Sequence, residues 1–107
     1  MGAPPNFQAR MPSPSPWIES ASGDDGPCAV LQGRWTAGGL GNKTAWRAAQ
    51  VALAAVAPGS AWDLRALQAF DHLGALTLWQ HWGRQWPAQV LTLERQRAVL
   101  ERVAAQG

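Results

Sequence analysis

The chain has 107 residues, of which 47% are hydrophobic and 15% are charged, and this size and balance predict one small globular domain. Its net charge of +2 is spread along the chain rather than clustered, which argues against binding to nucleic acid. The single cysteine excludes an intrachain disulfide, and no apolar run reaches the roughly 18 residues needed to cross a bilayer. We therefore expect a soluble, cytoplasmic chain.

The amino-terminal segment differs in composition from the rest of the chain. Residues 1–16 contain five prolines, with serines between three of them, and have no secretory hydrophobic region. Proline fixes its own φ angle and has no backbone N–H, so such a segment cannot hold a helix or a sheet ladder. The composition predicts a disordered or polyproline-like leader over 1–16, followed by a single domain over 17–105.

A hairpin and a helix are predicted first. The apolar runs "WIES" (17–20) and "CAVLQGRW" (28–35) flank a turn-rich Gly/Asp loop, a pattern typical of a β-hairpin. Cys28 lies in an apolar run and is expected to be a small buried hydrophobe rather than a nucleophile. The alanine-rich segment 44–57 then predicts an amphipathic helix. The apolar side of this helix is formed by Trp46, Ala49, Leu53 and Val56.

A second strand–helix pair follows. The segment "AWDLRAL" (61–67) alternates well enough for a strand. Helical spacing returns at Gly74 and predicts a helix over 74–86. The inward side of the strand is expected to carry Trp62, Leu64 and Ala66. The inward side of the helix is expected to carry Ala75, Trp79, Trp82 and Trp86, because a small domain needs that apolar area.

The chain closes with a short strand over 89–93 and a helix that Thr92 is expected to cap. The inward residues of this helix are Leu93, Gln96, Leu100 and Val103. The resulting order is ββαβαβα. Strands separated by helices must be joined by crossovers, so the later strands are expected to be parallel. The prediction is an α/β fold with a mixed four-stranded sheet and helices packed on it.

Several of these segments together resemble a STAS domain, the module shared by sulphate transporters and anti-sigma-factor antagonists. The resemblance is carried by "VLQGRWT", "WDLRAL", "FDHLG" and "LTLERQRAVLERVA", in that order, and covers about residues 17–105. Gly-Arg-Trp-Thr at 33–36 and Gln-Arg-x-x-Leu at 96–100 look most like the domain fused ahead of MlaE-type ABC permeases. Those permeases belong to systems that move phospholipids and related hydrophobic compounds between bacterial membranes.

This resemblance implies a non-catalytic regulatory domain, held at the cytoplasmic side of the inner membrane by a larger permease. Its implied partners are the ATPase subunit and the transmembrane region of the permease. The alternative is a stand-alone protein similar to anti-sigma-factor antagonists. In STAS domains the turn before the second long helix carries a phosphorylatable Ser or Thr between Asp and Gly. Asp71 and Gly74 match that pattern, whereas His72 and Leu73 cannot accept a phosphate on oxygen, which favours constitutive docking.

The residues expected to meet a partner lie on this turn and on the exposed flank of the following helix. They are Asp71, His72, Leu73, Gly74, Thr77, Gln80 and His81. Three of these residues also have a purely structural explanation. Asp71 is also expected to be the helix N-cap, Gly74 to permit close approach of helix and strand, and Leu73 to be a buried staple. A third hypothesis is a binder of a small ligand that uses the tryptophans.

Catalytic signatures are weak in this chain, and we expect neither an enzyme nor a bound cofactor or metal. His72 and His81 lack a third ligand at a zinc-binding spacing, and Ser60 alone does not make a catalytic triad. The stretch "TAGGLGNKT" (36–44) ends like a phosphate-binding loop, but Asn42 stands where glycine belongs. Weak anion binding at this helix start stays an open alternative.

Overall fold

The computed structural model describes residues 16–23 and 26–106, so nearly all of the predicted leader lies outside the described residues. The strands are β1 Trp17–Gly23, β2 Gly26–Gln32, β3 Arg34–Trp35, β4 Ala61–Asp63, β5 Ala69–Phe70 and β6 Val90–Leu91. The helices are α1 Lys43–Ala54, α2 His72–His81 and α3 Glu94–Gln106. The α/β class is confirmed.

The main sheet has the strand order β1-β2-β4-β6. Strands β1 and β2 form the predicted antiparallel hairpin, with Trp17 opposite Gln32. Strand β4 pairs in parallel with β2 and with β6. The mixed four-stranded sheet is therefore confirmed. Successive strands are added in one direction, and residues of α1 and α2 belong to one core cluster, as right-handed crossovers onto one face of the sheet would produce.

A second, two-stranded sheet was not predicted. The strand expected over 28–35 is interrupted at Gly33, whose φ of 83° lies in the left-handed region. Beyond this break, β3 pairs in parallel with β5, the strand that leads into α2. The Gly33 carbonyl accepts a hydrogen bond from the Gln68 N–H at 2.9 Å. This small sheet fixes where α2 begins.

The core lies between one face of the main sheet and the helices. Alternate strand residues point into it, as the strand period of two requires. Its fully or nearly buried members are Ala29, Leu31, Trp35, Leu40, Ala49, Leu53, Trp62, Leu64, Ala75, Leu78, Trp79, Leu100 and Val103. The intervening residues Cys28, Val30 and Asp63 are half-buried on the opposite face. No helix among the described residues is both long enough and apolar enough to span a bilayer.

The predicted strand over 61–67 is shorter than expected. It ends at Asp63, whose Oδ1 accepts the Arg65 backbone N–H at 3.0 Å and turns the chain. The Leu67 N–H then donates to the Leu64 carbonyl at 3.2 Å. Ala66, predicted to point inward, is consequently exposed.

The tryptophan predictions are only partly correct. Helix α2 begins at His72, directly after the predicted cap Asp71 and two residues before the predicted start. It ends at His81 rather than at residue 86, because Gly83 and Arg84 adopt φ angles of 71° and 62°. Trp79 is buried as predicted, Trp82 is half-buried, and Trp86 lies outside the helix with 38% of its surface exposed. Trp46, in the first turn of α1, is 40% exposed although Ala49 and Leu53 on the same face are buried.

Helix α3 begins at Glu94, one residue later than a Thr92 cap requires. The N-cap position is taken by Leu93, whose N–H donates to Gln96 Oε1 at 2.8 Å, as in one half of a capping box. Gln96 is buried and also donates from Nε2 to the Leu64 carbonyl at 2.8 Å. Leu93, expected to point inward, is 38% exposed. Gln96 therefore ties α3 to the end of β4.

Candidate functional site

The turn at 71–74 lies at the carboxyl end of the parallel strands, where open α/β sheets generally place their binding sites. Asp71 directly follows β5 and has an extended backbone, with φ of −129°. Its Oδ1 accepts hydrogen bonds from the N–H groups of Leu73 at 3.0 Å and Gly74 at 3.1 Å. Asp71 is thus the N-cap of α2, as predicted.

The second carboxylate oxygen of Asp71 holds a neighbouring loop. Its Oδ2 accepts the Ala37 N–H at 2.9 Å. The same loop is closed by two further bonds, from the Leu40 N–H to the Thr36 carbonyl at 2.8 Å and from the Gly39 N–H to Thr36 Oγ1 at 3.0 Å. One carboxylate therefore fixes both the start of α2 and the loop beside it. Ala37 was not among the predicted site residues.

Gly74 permits close contact between α2 and β3, as predicted. A Cβ at this position would overlap the carbonyl oxygen of Trp35 and would lie 2.8 Å from its carbonyl carbon. Trp35 cannot move aside easily, because it is fully buried and its Nε1 donates to the Gln32 carbonyl at 2.9 Å. The helix can approach this strand only where it has no side chain.

The exposed side of α2 differs from the predicted flank. His72 and Gln80 are exposed as predicted, and Leu76 between them is half-buried and packs in part against the core. These three residues, spaced by four, share one helix face and are called the docking stripe below. Leu73 beside it is half-buried against the core. The spacing from His72 to Gln80 would have identified Leu76 from the sequence.

The prediction that Thr77 is exposed is wrong. Only 4% of its surface is accessible, and its Oγ1 donates to the Leu73 carbonyl at 2.8 Å. Threonine can be buried in a helix because its hydroxyl can bond to the carbonyl four residues earlier. Thr77 therefore cannot contact a partner directly.

His81 does not lie with the docking stripe. It follows His72 by nine residues, about two and a half helical turns, so its side chain leaves α2 on the side opposite His72. Its ring contacts Trp62 edge-on, with centroids 5.8 Å apart. His81 is exposed overall, as predicted, but partial burial lowers the pKa of its imidazole because the charged form loses hydration. The structure thus places the His81 ring on a different side of α2 from the docking stripe, although Gln80 directly precedes it in the chain.

His81 belongs instead to an aromatic cleft at the amino ends of β4 and β6. The cleft has a volume of about 380 Å³. Its walls are Val56, Ala57, Pro58, Gly59, Ser60, Trp62, His81, Trp82, Gln85, Trp86, Pro87 and Ala88. The rings form a continuous chain of contacts, since Trp82 lies 5.6 Å from Trp62 and 6.2 Å from Trp86 between centroids. The guanidinium of Arg97 lies 5.1 Å from the centroid of Trp86.

The glycine-rich loop before α1 has a packing explanation. A Cβ on Gly39 would overlap the Arg34 carbonyl oxygen, and a Cβ on Gly41 would lie 2.8 Å from the Ala37 carbonyl oxygen. Asn42 caps α1 by accepting the Ala45 N–H at 2.8 Å. Close backbone packing therefore accounts for these glycines without a bound phosphate.

Cys28 and Asp63 also have shifted pKa values. Burial and the nearby Asp63 carboxylate raise the pKa of the half-buried Cys28 thiol, so the neutral form dominates at neutral pH. Hydrogen bonding to Arg65, at 3.0 and 3.1 Å, lowers the pKa of Asp63. Within residues 16–23 and 26–106, no three His, Cys, Asp or Glu side chains are grouped to hold a metal ion.

Comparisons of the chain with models of known protein families, with curated proteins and with solved structures find no match. The likeness to STAS domains therefore rests on the sequence motifs given above.

Proposed function

We propose that this domain is a non-catalytic, STAS-type interaction module of a lipid-transport ABC permease system. It docks on the ATPase subunit or on the cytoplasmic helices of the permease and is held at the cytoplasmic face of the inner membrane. The observation that best supports this proposal is the docking stripe (His72, Leu76 and Gln80), which emerges from a turn that Asp71 fixes with three backbone hydrogen bonds.

The rigidity of the turn favours binding. A surface that is already ordered loses less conformational entropy when a partner docks. The stripe combines one apolar side chain, Leu76, with two polar side chains that can exchange hydrogen bonds with a partner. Such a mixture is typical of non-obligate protein interfaces.

The hydroxyl groups near the turn favour constitutive docking over a phosphorylation switch. Thr77 is the only Ser or Thr between residues 71 and 81. Its oxygen is buried and donates to the Leu73 carbonyl, so a kinase could reach it only if the helix opened. This disfavours a phosphorylation-controlled antagonist of the anti-sigma type; the alternative stand-alone, antagonist-like protein without a phosphorylatable Ser or Thr is not affected by it.

Co-purification of the ATPase subunit with the full chain tests the proposal. Gln80→Glu adds a charge to the docking stripe, whereas Gln50→Glu makes the same change at an exposed position of α1 and serves as the matched control. We expect Gln80→Glu to weaken association by roughly tenfold, about 1.4 kcal/mol, and Gln50→Glu to leave it unchanged. Equal recovery of the ATPase with both variants would contradict docking through this stripe.

A further inference from the structure

The aromatic cleft offers a second binding surface beyond the carboxyl end of α2, at the opposite end of the helix from the turn at 71–74. We propose that its occupant is the proline-rich amino-terminal segment of this same chain, residues 1–15, bound through Pro4 and Pro5. The proposal is independent of the partner that the docking stripe takes, because the two surfaces share no residue.

The chemistry of the cleft suits proline. Trp62 lies nearly buried at its floor, while Trp86 is substantially exposed at its side. Aromatic-lined grooves of this kind bind proline-rich segments by packing the pyrrolidine rings against indole faces. Proline carbonyls need donors from the binding surface, and the amide of Gln85 and the imidazole of His81 line the same cleft.

The charge of the cleft is also compatible with that of residues 1–15. Apart from the titratable His81, the residues that line the cleft are uncharged, and the nearest fixed charge described is the Arg97 guanidinium, 5.1 Å from the Trp86 ring. Residues 1–15 contain four prolines and one charged side chain, Arg10. Pro4 and Pro5 are five or more residues away from Arg10, so they can enter an uncharged cleft without burying that charge.

The distance from the start of β1 to the cleft determines which prolines of residues 1–15 can reach it. Strand β1 starts at Trp17, beside Gln32 at the carboxyl end of β2, whereas the cleft lies at the amino end of β4. Trp17 pairs with Gln32 and Ala61 pairs with Cys28, so the path runs along about four residues of strand and across two strand spacings, roughly 23 Å in total. Fifteen residues of extended polyproline chain span about 46 Å. Pro4 and Pro5 can therefore arrive at the cleft, whereas Pro12 and Pro14 are too close to β1.

A nitroxide at residue 3 of the full 107-residue chain tests the proposal directly. Ala3→Cys in a Cys28→Ser background gives one labelling site, and the spectrum with the nitroxide reduced checks that the fold is retained. We expect the indole N–H signals of Trp82 and Trp86 to lose most of their intensity, while that of Trp46, exposed on α1, is retained. Equal loss at Trp46 and Trp86, or no loss at either, would overturn the proposal.

Two further samples identify the occupant. Replacing Pro4 and Pro5 with alanine in the labelled chain is expected to restore the Trp86 signal, and unchanged broadening would overturn the role of these prolines. Mixing isotope-labelled chains without nitroxide and unlabelled chains with nitroxide detects binding between copies. We expect no broadening in this mixture. Broadening there as strong as in the single sample would assign the cleft to a second copy and overturn the proposal.

Discussion

Gly74 of α2 and Trp35 of β3 are in direct backbone contact, so that a Cβ on the glycine would lie 2.8 Å from the tryptophan carbonyl carbon. This contact sets the distance between the first turn of α2 and the small parallel sheet. Because Asp71 also accepts the N–H of Gly74, the contact and the helix cap position the turn together.

Replacing Gly74 with alanine is expected to destabilise the fold strongly. The added methyl group overlaps backbone atoms of Trp35, which cannot rotate away as a flexible side chain can. Overpacking typically costs about 1–3 kcal/mol, and we expect a loss at the upper end of this range in urea unfolding. Gly38→Ala is the matched control, because its Cβ would come no closer than 3.8 Å to a neighbouring atom, Thr36 Oγ1. Equal stability of the two variants would contradict the close contact.

Asp71 is expected to contribute through two separable interactions. Asp71→Ala removes both and should cost about 2 kcal/mol in urea unfolding, near the upper end for loss of an N-cap. Asp71→Asn can still cap α2 through its amide oxygen, but its NH₂ group would face the Ala37 N–H, so we expect an intermediate stability. Amide hydrogen exchange at Ala37 should accelerate in both variants. Unchanged exchange at Ala37 would show that the carboxylate does not hold the loop.

Gln96 gives a pH-dependent prediction. In Gln96→Glu, one oxygen still accepts from Leu93, but the other faces the Leu64 carbonyl without a proton to donate. We expect a loss of about 1–3 kcal/mol at neutral pH, the cost of an unmade buried hydrogen bond. The folded state raises the pKa of the new carboxyl, so stability should recover as the pH falls and the group is protonated. Gln106→Glu, exposed in the last turn of α3, should show neither effect in thermal unfolding.

His81 should make the fold less stable in mild acid. Partial burial lowers its pKa in the folded state, so the unfolded state takes up a proton first. The stability that neutral His81 contributes is complete above its ordinary pKa of about 6.5 and is lost as the pH falls below it. His81→Asn should therefore flatten the fall of Tm between pH 8 and pH 5. His72→Asn controls for loss of an exposed imidazole, and an equal effect of both variants would refute the assignment to His81.

The positions of the main elements were predictable from local patterns. The hairpin followed from two apolar runs around a Gly/Asp loop, and the start of α2 from Asp71 three residues before Gly74. The end of α2 was not predictable in this way, because the spacing of Trp79, Trp82 and Trp86 continues the helical period past Gly83. The glycine was the better signal, since a left-handed residue ends a helix whatever the apolar spacing beyond it.

The candidate site was predicted less well than the fold. Thr77 was assigned to the exposed flank because it is polar, but its hydroxyl is satisfied within the helix and permits burial. The bonds from Asp71 to Ala37 and from Gln96 to Leu64 join residues more than 30 positions apart, so no local pattern indicates them. The aromatic cleft likewise depends on two chain segments, 56–62 and 81–88, that meet only in the folded domain.

The central claim is that the docking stripe and its turn form the partner surface. The most direct measurement is amide shift mapping of the isotope-labelled chain during titration with the purified ATPase subunit. We predict that the largest changes occur at His72, Leu76 and Gln80 and at Ala37 in the adjoining loop. Shifts confined to β1 and the exposed face of α1, with the turn unaffected, would contradict the account.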